Sequence, residues 1–170
     1  ALNIIGRIGM DHMEFLGTSL GEIAAEKAGI MKPDVPCVVG AQAPDAMAAI
    51  KARGAKIGAP LIMAEPWRAD IPALPGAHQR YNAGLAVAAA QHLFKNSFPR
   101  ENGDLPLDGQ DSRVRGKSIN GVMSKGLAQA HWPARMQKLD YSPADGFELW
   151  LDGGHNADAG EAIAAQIETW

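Results

Sequence analysis

The sequence predicts an α/β protein: a parallel sheet with helices packed on its faces. Two observations carry that expectation. Short apolar runs at 2–9, 36–40 and 60–64 alternate with helical patterns at 19–31 and 44–53, the order that builds βαβ units. The 170 residues are 46% hydrophobic and 21% charged, enough apolar material to bury a sizeable core. In parallel sheets ligands gather at the carboxyl ends of the strands. Polar residues just after each strand are therefore the first candidates for chemistry.

Taken in order, "LNIIGRIG" at 2–9 reads as a buried strand weakened by glycines, and "PCVVG" at 36–40 as a second strand. Between them a helix enters at Ser19, where Ser19 and Glu22 form a capping box, and closes through Gly29, Pro33 and Pro36. Its apolar stripe is Leu20, Ile23, Ala24, Ala28 and Met31, and Lys27 lies on it. Residues 44–53 read as a helix stopped by Gly54, and "PLIMA" at 60–64 as a third strand. A loop at 65–76 leads to a long alanine-rich helix at 77–94. Polar, aperiodic sequence at 95–118 reads as a mobile loop or insertion. A helix follows from Ile119. After "HWPARM" come the strand "FELWLD", the turn "GGHN" and a helix running to the last residue. A domain boundary is expected near Trp132 and Pro133, giving units 1–132 and 133–170.

Composition excludes several classes of function. A formal net charge of −3 and 6% aromatics do not make a nucleic-acid surface. No apolar run approaches the length of a membrane helix, and the opening residues lack the order of a signal peptide. The one cysteine, Cys37, cannot form an internal disulfide, which points to a reducing compartment, the cytoplasm. A small-molecule ligand is the expectation.

Three constellations bear on chemistry. Asp11 and His12 follow the opening strand, where a binding crevice opens; His12 reads either as a satisfied structural histidine or as a metal ligand. Lys27 either lays its stem along the core edge with its ammonium in water, or is dehydrated enough to react as a neutral amine. Such an amine can take up carbon dioxide as a carbamate, turning a cation into an anionic oxygen ligand suited to magnesium. "FELWLDGGHN" delivers Asp152, His155 and Asn156 through two glycines to a helix start, either as capping residues or as a ligand site. His78, Gln79 and Asn82 at the start of the alanine-rich helix read equally as caps and surface residues. Gly116-Lys117-Ser118 fails as a phosphate loop, because Asp111 stands where the pattern needs its first glycine. The basic cluster Arg113, Arg115 and Lys117 reads as a solvated loop.

Five segments, in order, are "IGMDHMEFLG", "IAAEKAGIMKPDVP", "GAHQRYNAGLA", "WPARMQ" and "DGGHNADAG". Together they resemble the folylpolyglutamate synthase and dihydrofolate synthase branch of the Mur ligase superfamily. The resemblance covers nearly all of the chain outside 95–118. It implies an incomplete Mur-ligase-like central, ATP-binding domain at 1–132, and the first strand and helix of a Rossmann-like C-terminal domain at 133–170.

By the same resemblance, Lys27 is carbamylated and helps organise a Mg²⁺ site in which His12 is a metal ligand. Asn82, Arg135, Asp152 and His155 contact ATP, with Arg135 bearing on phosphate charge. Catalysis then falls to Lys27, His12 and Arg135. The implied reaction is amide synthesis: a folate or pteroate carboxylate attacks the γ-phosphate of ATP, and the amine of L-glutamate displaces phosphate from the acyl phosphate. No nucleic acid or membrane takes part, and the full-length enzyme is expected to be a cytoplasmic monomer of one-carbon metabolism. The family's glycine-rich nucleotide loop, folate-binding loop and a glutamate magnesium ligand belong upstream of residue 1. The chain alone is thus expected to be inactive. Other readings are a peptidoglycan Mur ligase, which shares the plan and the lysine, and a non-catalytic α/β binding remnant.

Overall fold

The computed structural model describes residues 1–70, 72–94, 119–141 and 146–168. Strands β1 (Asn3–Ile5), β2 (Cys37–Val39) and β3 (Leu61–Met63) form a parallel sheet in sequence order, with Asn3, Cys37 and Leu61 in register. The crossovers are helical. A single turn α1 (Met13–Leu16) and helix α2 (Leu20–Lys27) join β1 to β2, and α3 (Pro44–Ile57) joins β2 to β3.

The central strand shows why the sheet is covered on both sides. Cys37 and Val39 pack into a core with Ile23, Ala24, Ala28 and Met31 from α2 and the turn after it, and Ala46 and Ile50 from α3. Val38 points the opposite way and meets Leu85 and Ala89 of α4 (His78–Leu93). Period-two alternation thus sends one strand into two cores. Ile23 and Ile50 are both fully buried, each contributing about 1.5–3 kcal/mol by removal from water. A third apolar cluster joins Trp67, Ala83 and Val87 to Met123 and Leu127 of α5 (Ile119–Leu127).

The expected elements are present, with differences that have physical causes. The ladder of β1 stops at Ile5 instead of reaching residue 9, because the side chain of Gln42 takes over: its Nε2 donates to the Gly6 carbonyl (2.7 Å) and its Oε1 accepts from the Ile8 amide (2.9 Å). Helix α3 runs through Gly54, which is buried; a Cβ there would lie 3.2 Å from the Ala59 carbonyl oxygen and Leu61 Cδ2. The stop is Gly58, at φ 70°. On α2 the capping box forms as expected, Ser19 Oγ accepting from the Glu22 amide and Glu22 Oε2 accepting from the Ser19 amide.

Beyond Trp132 the expectation was one strand and one helix. The structure has a second strand: β4 (Gln137–Leu139) pairs antiparallel with β5 (Leu149–Leu151), Lys138 opposite Trp150. Helix α6 (Ala157–Ile167) ends three residues before the chain does. The segment 95–118 lies outside the described residues, and with it Gly116-Lys117-Ser118 and the Arg113, Arg115, Lys117 cluster. No helix among the described residues is long and apolar enough to cross a membrane.

Candidate functional site

The loop after β1 and the amino end of α6 meet. Where β1 leaves the sheet, Gly9 has no side chain, and a Cβ there would fall 1.5 Å from Asp158 Oδ2 in the first turn of α6. Three residues on, His12 adopts the left-handed conformation (φ 51°, ψ 39°), unusual without glycine, and precedes α1. Its amide donates to Asp11 Oδ1 at 2.9 Å. His12 and His155 lie with ring centroids 6.3 Å apart, tilted by 52°. Asp11, His12 and His155 each offer a metal-ligating atom within 4.8 Å of the others'.

Hydrogen bonds fix this end of α6. Asn156 is its N-cap, Oδ1 accepting from the Ala159 amide at 2.9 Å, and its side chain also hydrogen-bonds Asp11. That bond from Asn156, helped by His12 and His155, holds the Asp11 carboxyl below the usual carboxylate range. The His155 Nδ1 lies 3.1 Å from the Gly153 carbonyl oxygen; a carbonyl only accepts, so Nδ1 is the donor. Asp152 grips two backbone amides, that of Met136 (2.7 Å) and that of Gly154 (2.6 Å). It thereby ties "WPARM" to "DGGHN".

The start of α4 reaches the same place. Burial pushes the His78 imidazole pKa down from the ordinary 6.5, against the pull of Asp152 and with the push of Arg135. His78 Nε2 lies 3.0 Å from Gln79 Nε2, and Gln79 Oε1 accepts from Asn82 Nδ2 at 3.0 Å. Asn82, Arg135, Asp152, His155 and His12 thus follow one another through contacts or charge, with Asn82, Arg135, His12 and His155 all exposed. Beside them, at the carboxyl ends of β1 and β2, opens a cleft of about 340 Å³ lined by Arg7, Gln42, Tyr81 and Asp158 among others. Lys27 is the last residue of α2 and is half-buried.

Sequence reasoning placed Gln79 among caps, yet it is buried and links His78 to Asn82. Gln42 went unremarked. Its signal was only its place after β2, where a crevice was expected.

No protein-family model matches the chain. Curated relatives do. The chain is 29% identical to the dihydrofolate synthase/folylpolyglutamate synthase of Bacillus subtilis over 98% of its own length and 40% of that protein's. It is 32% identical to a folylpolyglutamate synthase of Arabidopsis thaliana over 94% of its length and 28% of the relative's. The chain is thus similar to folylpolyglutamate synthases along nearly all of its own length. Solved members share its fold: Mycobacterium tuberculosis folylpolyglutamate synthase complexed with ADP superimposes with a TM-score of 0.72 at 25% identity over 98% of the chain, and the apo form of L. casei FPGS with 0.73 at 24% over 99%. The chain spans 38% and 42% of those two structures, so it matches under half the length of each of these folylpolyglutamate synthases.

Proposed function

We propose that this chain is the nucleotide- and metal-handling part of a longer ATP-dependent ligase that joins L-glutamate to folates. On this reading residues 1–132 belong to its central domain and 133–170 open its C-terminal domain. The observation that carries the reading is the convergence of "DH", "HQRYN", "WPAR" and "DGGHN" on one strip of surface, in a chain whose named relatives are folate enzymes. Those relatives favour a folate acceptor over the nucleotide-sugar acceptors of peptidoglycan ligases.

The residues present suit a divalent cation. Asp11 is an oxygen donor held anionic by Asn156, and His12 beside it is exposed. His12 and a carbamate on Lys27 would hold Mg²⁺, which keeps several waters and binds through few protein groups plus substrate phosphate. When bound, the ion neutralises phosphate charge as the γ-phosphoryl group transfers.

The chain's own groups do the rest. Arg135, on the loop that Asp152 pins through the Met136 amide, presents a planar fork to phosphate oxygens. Asn82, Asp152 and His155 orient the nucleotide. Attack of the folate carboxylate on the γ-phosphate breaks its bond to the β-phosphate oxygen, giving an acyl phosphate and ADP, and the glutamate amine, losing a proton, displaces phosphate to form the amide. Both steps depend on holding the reactants in line more than on acid–base chemistry.

Calorimetric titration of the protein with ADP in magnesium buffer tests this directly. Arg135→Ala should weaken binding about tenfold or more, the scale of one charge-assisted hydrogen bond. A folded protein whose ADP affinity is indifferent to Arg135 would count against the reading.

A further inference from the structure

We propose that Gln137 is a positioning residue for Arg135: its side chain braces a strained turn and so fixes the direction from which the guanidinium meets phosphate. Arg135 stands between Ala134 at φ 56° and Met136 at φ 47°. Positive φ is unfavourable for a residue with a Cβ, so a turn with two such residues around one arginine persists only where its surroundings hold it.

The holding contacts fall on both sides of the arginine. Downstream, Asp152 Oδ2 accepts from the Met136 amide at 2.7 Å, and the Met136 side chain is buried. Upstream, the Ala134 carbonyl accepts from the Gly153 amide at 2.9 Å. The Ala134 amide, which can only donate, is satisfied by Gln137, whose Oε1 accepts from it at 2.9 Å. Gln137 reaches back to this amide from the first position of β4, where its backbone pairs opposite Leu151. Strand pairing is a backbone matter and does not need this side chain; the turn does.

The consequence is preorganisation. Arg135 is exposed, and an exposed arginine that must become ordered on binding loses affinity in doing so. A turn clamped at both ends removes the backbone share of that loss and aims the planar fork at one place. Gln137, half-buried, acts through Arg135 alone. This rests on the reading of Arg135 as a phosphate-binding group, whereas the clamp itself can be measured without any nucleotide.

Gln137→Met keeps the length of the side chain and removes the acceptor, and two readouts separate the clamp from the phosphate reading. The first uses no ligand: backbone nitrogen NMR relaxation at Arg135 should give an order parameter of about 0.85 in the wild type and of about 0.6 in Gln137→Met, while buried Ile23 and Ile50 stay rigid. The second is calorimetric titration with ADP in magnesium buffer. Gln137→Met should weaken binding about three- to tenfold, yet add less than about twofold to the loss in Arg135→Ala, because the side chain through which it acts is then gone. Circular dichroism checks that each variant is folded. An equally rigid Arg135 in folded Gln137→Met, or the same loss of affinity from Gln137→Met with and without Arg135, would overturn the proposal. Lost rigidity together with an ADP affinity indifferent to Arg135→Ala would support the clamp and overturn the phosphate reading beneath it.

Discussion

The carboxylate of Asp11, just past the first strand, accepts a hydrogen bond from the side chain of Asn156, the residue that caps the last helix. One asparagine therefore both starts α6 and ties it to the loop that carries His12. The rest of α6 contributes little anchoring: none of its residues is buried, and Ile167 is 53% exposed. Position at this site rests on a few polar bonds.

Replacing Asn156 by alanine removes the cap and the bond to Asp11 together. The cap alone is worth about 0.5–2 kcal/mol. Amide hydrogen exchange should show α6 losing protection while α2 and α3 keep theirs, and NMR titration should show the Asp11 carboxyl rising toward its ordinary value. Unchanged exchange in α6 would mean that another contact holds it.

Glycine 84 lies on α4 where that helix passes the loop after β3. A Cβ there would sit 2.0 Å from the Glu65 carbonyl oxygen and 3.3 Å from Pro66 Cα, and backbone cannot yield as a side chain can. Gly84→Ala should destabilise the protein by about 1–3 kcal/mol despite alanine's higher helix propensity. Urea denaturation would read this as a lowered midpoint at unchanged slope.

Acid should weaken the fold through His78. Burial depresses its pKa in the folded state below the unfolded 6.5, so below that pH the unfolded chain binds a proton that the folded chain resists. Its contribution is fully present above pH 6.5 and declines as pH falls through that value toward the folded pKa. Asp11, also depressed, loses its contribution at lower pH, as the medium falls below the unfolded 3.8 toward the folded value. Thermal unfolding between about pH 7 and about pH 5 should therefore show a decline that His78→Gln flattens.

Much of this arrangement was legible in the chain, for reasons that particular residues show. Cys37, Val38 and Val39 announce a strand buried on both faces, and Ser19 with Glu22 announces the helix start, because both signals are local. Gly54 misled because a glycine in a helical pattern reads as a stop, while its use here is close packing against Ala59 and Leu61, which only the fold brings near. β4 was invisible: "QKL" has no apolar run, and it becomes a strand by pairing with "LWL". The grouping of His12 with His155 is likewise tertiary. Sequence marked both as candidates, and only their shared place in the fold shows that they face each other.

The central claim is that this chain serves ATP-dependent ligation of glutamate to folate, and the measurement closest to it is product formation by the longer protein that the claim requires. That protein, supplied with ATP, magnesium, L-glutamate and either tetrahydrofolate or dihydropteroate, should yield a product heavier by one glutamyl residue, with one ADP and one phosphate per amide formed. Lys27→Ala should abolish product while circular dichroism shows the fold retained. Folded, ADP-binding protein that forms no product from either acceptor would contradict the account.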